Sequence, residues 1–321
     1  MSMQPTPRIT VLTSLFRCAS YLHGYLDAVM AVVGLENIEI LLLHNHPSEE
    51  ELAIIETHEA MKHPSLRHII IPEREGLYAT WNRGIRMARG KYIAVWNVDD
   101  IRTPDSLQTQ ANALDVHTSA MLSYGNFIGT QSYGETTGTY YNFPEYSRWV
   151  FMRTCYLTPF PMWRASVHSS IGYFDESYRS AGDYDFQLRL AYNHPFVKIP
   201  TVTGYYLEAP ETGISKTGNI NDIERTVCEL RYAMYDKLNL IYVHPALAYS
   251  LNTMTWNTET HRLSNTMKAL YMFRVSRTVL APLSLFRMPI NIARYIKHKV
   301  LPKLRRYMQH ATTDTIVHNP N

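Results

Sequence analysis

The chain has 321 residues, 45% of them apolar, and a formal charge of +3. It is long and apolar enough for one large core or two modest ones, which excludes a disordered or fibrous chain. Cys18, Cys155 and Cys228 are too widely spaced for a disulfide framework or a CxxC motif, which points to a reducing compartment.

Chain order then shows a repeating alternation. ITVLTSL (Ile9–Leu15) reads as a strand, and the apolar spacing of Tyr21, Leu22, Tyr25, Leu26 and Val29 predicts a helix over Ser20–Val33. IEILLLH (Ile38–His44) is nearly continuous in apolar residues, as expected of a strand covered on both faces. Ser48 with three glutamates after it marks a helix start. HIII (His68–Ile71), a helix over Gly76–Gly90 and YIAVWN (Tyr92–Asn97) continue the pattern, and Thr103 with Pro104 reads as the cap and first turn of the next helix. The fold class expected is α/β: a doubly wound, mostly parallel sheet flanked by helices.

Phe127–Phe160 has no clear period and is rich in tyrosine, suggesting a lid over a substrate or a set of aromatic core plugs. Helical pattern resumes at Asp183–Tyr192, a strand follows near Thr201–Leu207, and Asp222–Leu238 is again helical. From Leu240 to Asn321 there are 11 Lys and Arg against 2 Asp and Glu, a net of +9 on a body of −6. Residues 240–310 are therefore expected to be a basic helical extension and 311–321 a disordered tail. The basic and apolar residues of 267–308 suit an anionic membrane surface or a solvated helical face equally. No apolar run approaches the ~20 residues of a spanning helix, and MSMQPTPR lacks the apolar core of a signal peptide. The location expected is cytoplasmic, with peripheral attachment to the inner face of a membrane.

Two acidic clusters carry the chemistry. KYIAVWNVDD (Lys91–Asp100) brings Asp99 and Asp100 to the end of an apolar strand, and GYFDESYRSAGDYDFQLRL (Gly172–Leu190) sets Asp183 and Asp185 at a helix start. Ligands of open α/β sheets gather at the carboxyl ends of strands. Each cluster also has a plainer reading, as a polar turn or as acidic residues favouring a helix N-terminus. Paired hard oxygens suit Mg²⁺ or Mn²⁺ beside substrate phosphates, while a separate carboxylate suits proton abstraction from a hydroxyl.

Three segments in order, ITVLTSL with its helix, GLYATWNRGIRMARGKYIAVWNVDD and PMWRASVHSSIGYFDESYRSAGDYDFQLRL, resemble the family 2 inverting glycosyltransferases of GT-A fold. The resemblance covers roughly Arg8–Ser215 and implies a GT-A domain over 1–239, with a nucleotide-binding half at about 8–125 and an acceptor and base half at about 126–239. It implies Asp183 as catalytic base and Asp99 with Asp100 as metal ligands for Mn²⁺ or Mg²⁺. Thr13, Ser14, Asn45, Asn82, Asn97 and Asp99 would contact the nucleotide-sugar donor. Trp163, Arg164, Asp185 and Arg189 would border the acceptor or support the base. The implied acceptor is a glycan or lipid-linked hydroxyl in polysaccharide, lipopolysaccharide or other glycoconjugate synthesis, with no nucleic acid.

The chain departs from the family pattern in four places. Asn97 replaces the first aspartate of D-x-D, His44-Asn45-His46 replaces paired base-reading aspartates, and Trp81 replaces an arginine. No histidine follows near Leu207–Ser215, where Glu208, Ser215 and Lys216 are the nearest polar groups. These departures motivate an alternative, a GT-A domain that binds a glycan or partner without catalysis. A nucleotidyltransferase would need a basic, glycine-rich phosphate loop, which LTSLFRCAS does not supply.

Overall fold

The computed structural model describes residues 6–151, 159–208, 224, 228, 253–256 and 259–262. Strands β1 (Ile9–Leu15), β2 (Ile38–Asn45), β3 (Leu66–Ile71) and β4 (Tyr92–Val95) form a parallel block in the order β3-β2-β1-β4. Helices α1 (Ala19–Met30), α2 (Glu49–Thr57) and α3 (Leu77–Met87) are the crossovers. The alternation of strand residues explains the two covered faces. Ile9, Val11, Leu15, Ile40 and Leu42 pack with Leu22, Tyr25, Leu26 and Val29 of α1, whereas Leu12, Leu41 and Leu43 pack with Tyr78, Trp81 and Ile85 of α3. Helix α3 lies close to the sheet at Gly84, where a Cβ would come within 2.6 Å of Leu43 and 2.8 Å of Leu12.

The second half extends the same sheet. After β5 (Ile101–Arg102) and α4 (Ser106–Val116) come β6 (Leu122–Thr130), β7 (Thr139–Tyr141), α5 (Arg148–Phe151), β8 (Met162–Arg164), α6 (His168–Ile171), α7 (Gly182–Asn193) and β9 (Phe196–Leu207). The full order is β3-β2-β1-β4-β8-β6-β9-β5, nine strands counting β7, which pairs with β6. β8 inserts antiparallel between β4 and β6, and β6 and β9 run parallel. The strand order reverses beside β1 and β4, a switch point whose crevice lies beyond their carboxyl ends.

Two expectations are corrected. Thr103 and Pro104 do not open α4, which begins at Ser106 with Asp105 as its cap. Thr103 is held on β9 instead, its N–H donating to the Thr203 carbonyl at 3.1 Å and its hydroxyl to that of Val202 at 3.0 Å. Within the extension expected to be helical, the described residues form an antiparallel pair, β10 (Thr253–Trp256) and β11 (Glu259–Arg262). Their threonines and tryptophan favour extended backbone. The rest of 240–310, the basic stretch 267–308, the tail 311–321 and most of the helix expected at 222–238 lie outside the described residues. Among the described residues no helix is long and apolar enough to cross a membrane.

Candidate active site

Beyond β1 and β2 the chain turns through Arg17 and His46, both in the left-handed region at φ 50° and 51°. Non-glycine residues adopt this conformation at a cost, and such outliers concentrate at functional sites. The two turns form the lips of a groove of about 750 Å³ lined by Phe16, Arg17, His46, Ser48, Glu51 and Arg74, among others. Arg74 places its guanidinium 4.3 Å from the centre of the Phe16 ring. Glu51 joins the two turns from beneath. Its carboxylate accepts the Cys18 N–H at 2.7 Å and the Ser48 N–H and hydroxyl at 2.9 and 2.8 Å, completing a capping box at α2. Burial acts to raise the Glu51 pKa, but these hydrogen bonds outweigh it and bring it down to about 2.

At the end of β4 the two adjacent aspartates part company. Asp100 is 1% exposed and accepts the Leu207 N–H at 3.2 Å and the Asn97 side-chain amide at 3.4 Å. Asp99 is half-buried. Burial raises the pKa of Asp99, and burial followed by the neighbouring Asp99 charge raises that of Asp100 further. Among the described residues neither carboxylate forms a salt bridge, although the buried Arg102 acts to lower Asp100. An under-compensated pair of hard oxygens fits a divalent cation whose remaining ligands are phosphate and water oxygens. No three His, Cys, Asp or Glu converge as a metal cage among the described residues.

A second cleft, of about 450 Å³, opens beside Asn97 and carries Asp183 on its wall. Trp81, Trp163, Phe127, Tyr141, Phe174, Phe186 and Tyr206 supply most of its surface, with Gln187 as a further polar group. Asp183 is exposed at the start of α7. Its Oδ1 accepts the Tyr184 N–H at 2.8 Å and the Tyr78 hydroxyl at 3.4 Å. Behind it Gly182 lets the Tyr78 ring approach, since a Cβ there would stand 2.7 Å from that ring. Burial first, and then the charges of Asp100, Asp99, Asp183 and Glu208, push the Tyr206 phenol in the cleft up to about 12. Asp99 stands two residues beyond Asn97 of the cleft wall.

The other expected site residues divide by what they touch. Trp163 lines the cleft and donates its indole N–H to His168 at 2.9 Å. Asp185 is buried and paired with Arg189 at 2.9 Å, and Arg189 also holds the carbonyls of Ile171 and Tyr173, so the pair braces the approach to Asp183. Arg164 points away, onto the Ala120 carbonyl at 2.8 Å and that of Leu114, because alternation on β8 sends it opposite to Trp163. Thr13 is buried against the Tyr25 hydroxyl, whereas Ser14 is half-buried. Asn45 grips Glu75 with both ends of its amide, at 2.6 and 3.0 Å. Asn82 does the same to Phe174, at 2.9 Å each way, and reaches Glu176 at 2.8 Å. Glu208 accepts from Tyr141 and from Gln131; Ser215 and Lys216 lie outside the described residues.

The glycosyl transferase family 2 model matches residues 10–171, just over half of the chain. The chain belongs to glycosyl transferase family 2. This glycosyltransferase is 24% identical to the chondroitin synthase of Escherichia coli over 216 residues, covering 67% of its own length. It spans 31% of that relative. Its fold resembles S. aureus TarS 1-349 in complex with UDP-GlcNAc, with TM-score 0.58 at 14% identity over 86% of this chain and 73% of that one. It also resembles the mannosyltransferase PcManGT from Pyrobaculum calidifontis in complex with GDP-Man and Mn²⁺, with TM-score 0.50 at 14% identity over 96% and 80%. The likeness is one of fold, and the fold is GT-A.

Four residues of the groove and the cleft share no sequence motif: Tyr206 arrives on β9, Phe16 and Arg17 come from the turn after β1, and Arg74 from the turn after β3. Trp81, a departure from the family pattern, lines the cleft. It is 5% exposed, and its indole N–H finds no hydrogen-bond partner among the described residues. Among the described tyrosines of the middle segment, Tyr146 donates to the carbonyls of Ala191 and His194, Tyr133 packs at a tilt against Tyr21, Tyr140 is exposed and Tyr141 reaches the cleft.

Proposed function

We propose that this glycosyltransferase moves a sugar from a nucleotide-diphosphate donor to an acceptor hydroxyl with inversion, in the synthesis of a polysaccharide or other glycoconjugate. The observation that carries the proposal is the exposed Asp183 carboxylate on the wall of an aromatic cleft that Asn97, two residues before Asp99, also lines. The nucleotide lies in the groove, where Phe16 and Arg74 offer a flat face and a cation, with the half-buried Ser14 near the end of β1 as a further donor contact. The reacting sugars lie in the cleft against Trp163 and its aromatic neighbours.

Asp99, half-buried, is the contact for Mn²⁺ or Mg²⁺, with the buried Asp100 beside it and Asn97 as an amide ligand to donor or metal. Such a cation, when bound, offsets charge on the departing nucleoside diphosphate. Asp183 takes the proton from the acceptor hydroxyl as it attacks the anomeric carbon. Tyr78 and the first turn of α7 hold that carboxylate in place, and the aromatic walls exclude water from the reacting atoms. Asn45, Asn82, Asp185 and Arg189 act through the loops they hold. The basic segment 267–308 is the contact for an anionic membrane surface that carries a lipid-linked acceptor.

Thermal-shift titration with UDP, GDP, TDP and CMP, each with and without Mn²⁺ or Mg²⁺, tests the donor site, since a ligand at ~100 times its dissociation constant adds about 2.7 kcal/mol of stability. Asp183→Asn abolishes transfer and leaves the cation-dependent nucleotide shift in place. Loss of both together makes Asp183 structural, and no shift with any nucleotide in the wild type favours the non-catalytic binding module.

A further inference from the structure

The first turn of α7 lacks a cap of its own. Ala181 stands at the N-cap with no side-chain hydrogen bond, and the chain before it, Tyr178-Arg179-Ser180, turns sharply into the helix. Backbone N–H groups at such a turn lie ahead of the helix's own bonding and need an acceptor. Glu224, more than forty residues later, supplies it. One carboxylate oxygen accepts the N–H of Arg179 at 2.8 Å, and the other accepts those of Ser180 at 2.7 Å and Ala181 at 2.9 Å. Three charge-assisted bonds to consecutive N–H groups make a concave cradle filled by one carboxylate.

Cys228 lies four residues on, and each of the two residues has helical backbone. Cys228 is fully buried in the core cluster of α3 and α7, with its thiol 3.7 Å from the Ala181 carbonyl. Glu224 and Cys228 therefore meet the same residue, one at its N–H and the other at its carbonyl. Two positions further along is Asp183, with Gly182 clamped against Tyr78 in between.

We infer that Glu224 is a positioning residue for the transfer reaction: it fixes the 179–181 turn and, through it, the direction in which Asp183 faces the cleft. The inference rests on Asp183 being the base. It assigns a task to the chain beyond β9, outside the 10–171 family match. An error of about 1 Å in the placement of a base costs on the order of 100-fold in rate, so a turn held from outside the helix is a direct control on turnover.

The test is nucleoside diphosphate release by the full chain from UDP-GlcNAc and from GDP-mannose, with the faster donor carried forward. Glu224→Ala is expected to lower kcat by about 100-fold with the donor KM within about twofold of wild type. Glu224→Gln, which keeps one accepting oxygen for Ser180 and Ala181 but loses the acceptor for Arg179, recovers part of that loss. Because Glu224 acts through Asp183 and not through the donor site, the cation-dependent nucleotide shift of Glu224→Ala equals that of wild type. A Glu224→Ala protein that melts lower yet turns over like wild type well below its Tm overturns the inference, as does one that loses the nucleotide shift. Wild-type turnover in Asp183→Asn alone sinks the base assignment instead, and is seen before Glu224 is altered.

Discussion

The backbone N–H of Leu207 donates to Asp100 Oδ1 at 3.2 Å, tying the end of β9 to the turn that follows β4. Adjacent carboxylates thereby differ: Asp100 joins two strands, and Asp99 is the one proposed to meet the cation.

Alanine substitutions separate them. Asp100→Ala leaves the Leu207 N–H unpaired in a buried place and is expected to lower the unfolding free energy by about 1–3 kcal/mol. Asp99→Ala is expected to change stability by less than about 0.5 kcal/mol and to remove the cation-dependent nucleotide shift. Urea unfolding and the thermal-shift titration read the two effects. The reverse pattern would exchange the roles.

Glu51 makes stability depend on acid. Its pKa lies below the ordinary 4.5, at about 2, so its contribution is fully present above pH 4.5 and is lost as pH falls through 2. The shift corresponds to on the order of 3 kcal/mol. Wild-type protein is expected to lose more stability between those pH values than Glu51→Gln does, measured as urea midpoints across the range. Parallel curves for the two proteins would show that Glu51 is not the group responsible.

Gly182→Ala forces a Cβ to within 2.7 Å of the Tyr78 ring. The ring must move, taking its hydroxyl from Asp183. Expected are about 1–3 kcal/mol of destabilisation from overpacking and a fall in turnover, with nucleotide affinity unchanged. Unaltered turnover would mean that the Tyr78 contact does not matter to Asp183.

The parallel half of the sheet was legible because burial leaves a periodic trace. β1 and β2 appear as apolar runs since both faces are covered, and α1 repeats its buried residues at helical spacing. β8 is only three residues long and shows no period, so nothing in Met162–Arg164 announces a strand between β4 and β6. The start of α4 was misplaced for a similar reason. Thr103 and Pro104 suit a helix start locally, but β9 outbids the helix for the Thr103 N–H and hydroxyl.

The amino-acid sequence by itself determined the α/β class, the family, and the two acidic clusters around Asp99 and Asp183, since each is written in a contiguous stretch. Tertiary structure alone decided which atoms of those stretches stay open and which are committed to neighbours. It turned Asp100 inward to Leu207, committed the amides of Asn45 and Asn82 to neighbouring loops, sent Arg164 to the carbonyls beside α4, and brought Tyr206 to the cleft and Glu224 to the turn before Asp183. The physical reason is that a polar side chain's role depends on which donors and acceptors folding leaves within about 3 Å of it, and most of these come from residues far away in the chain.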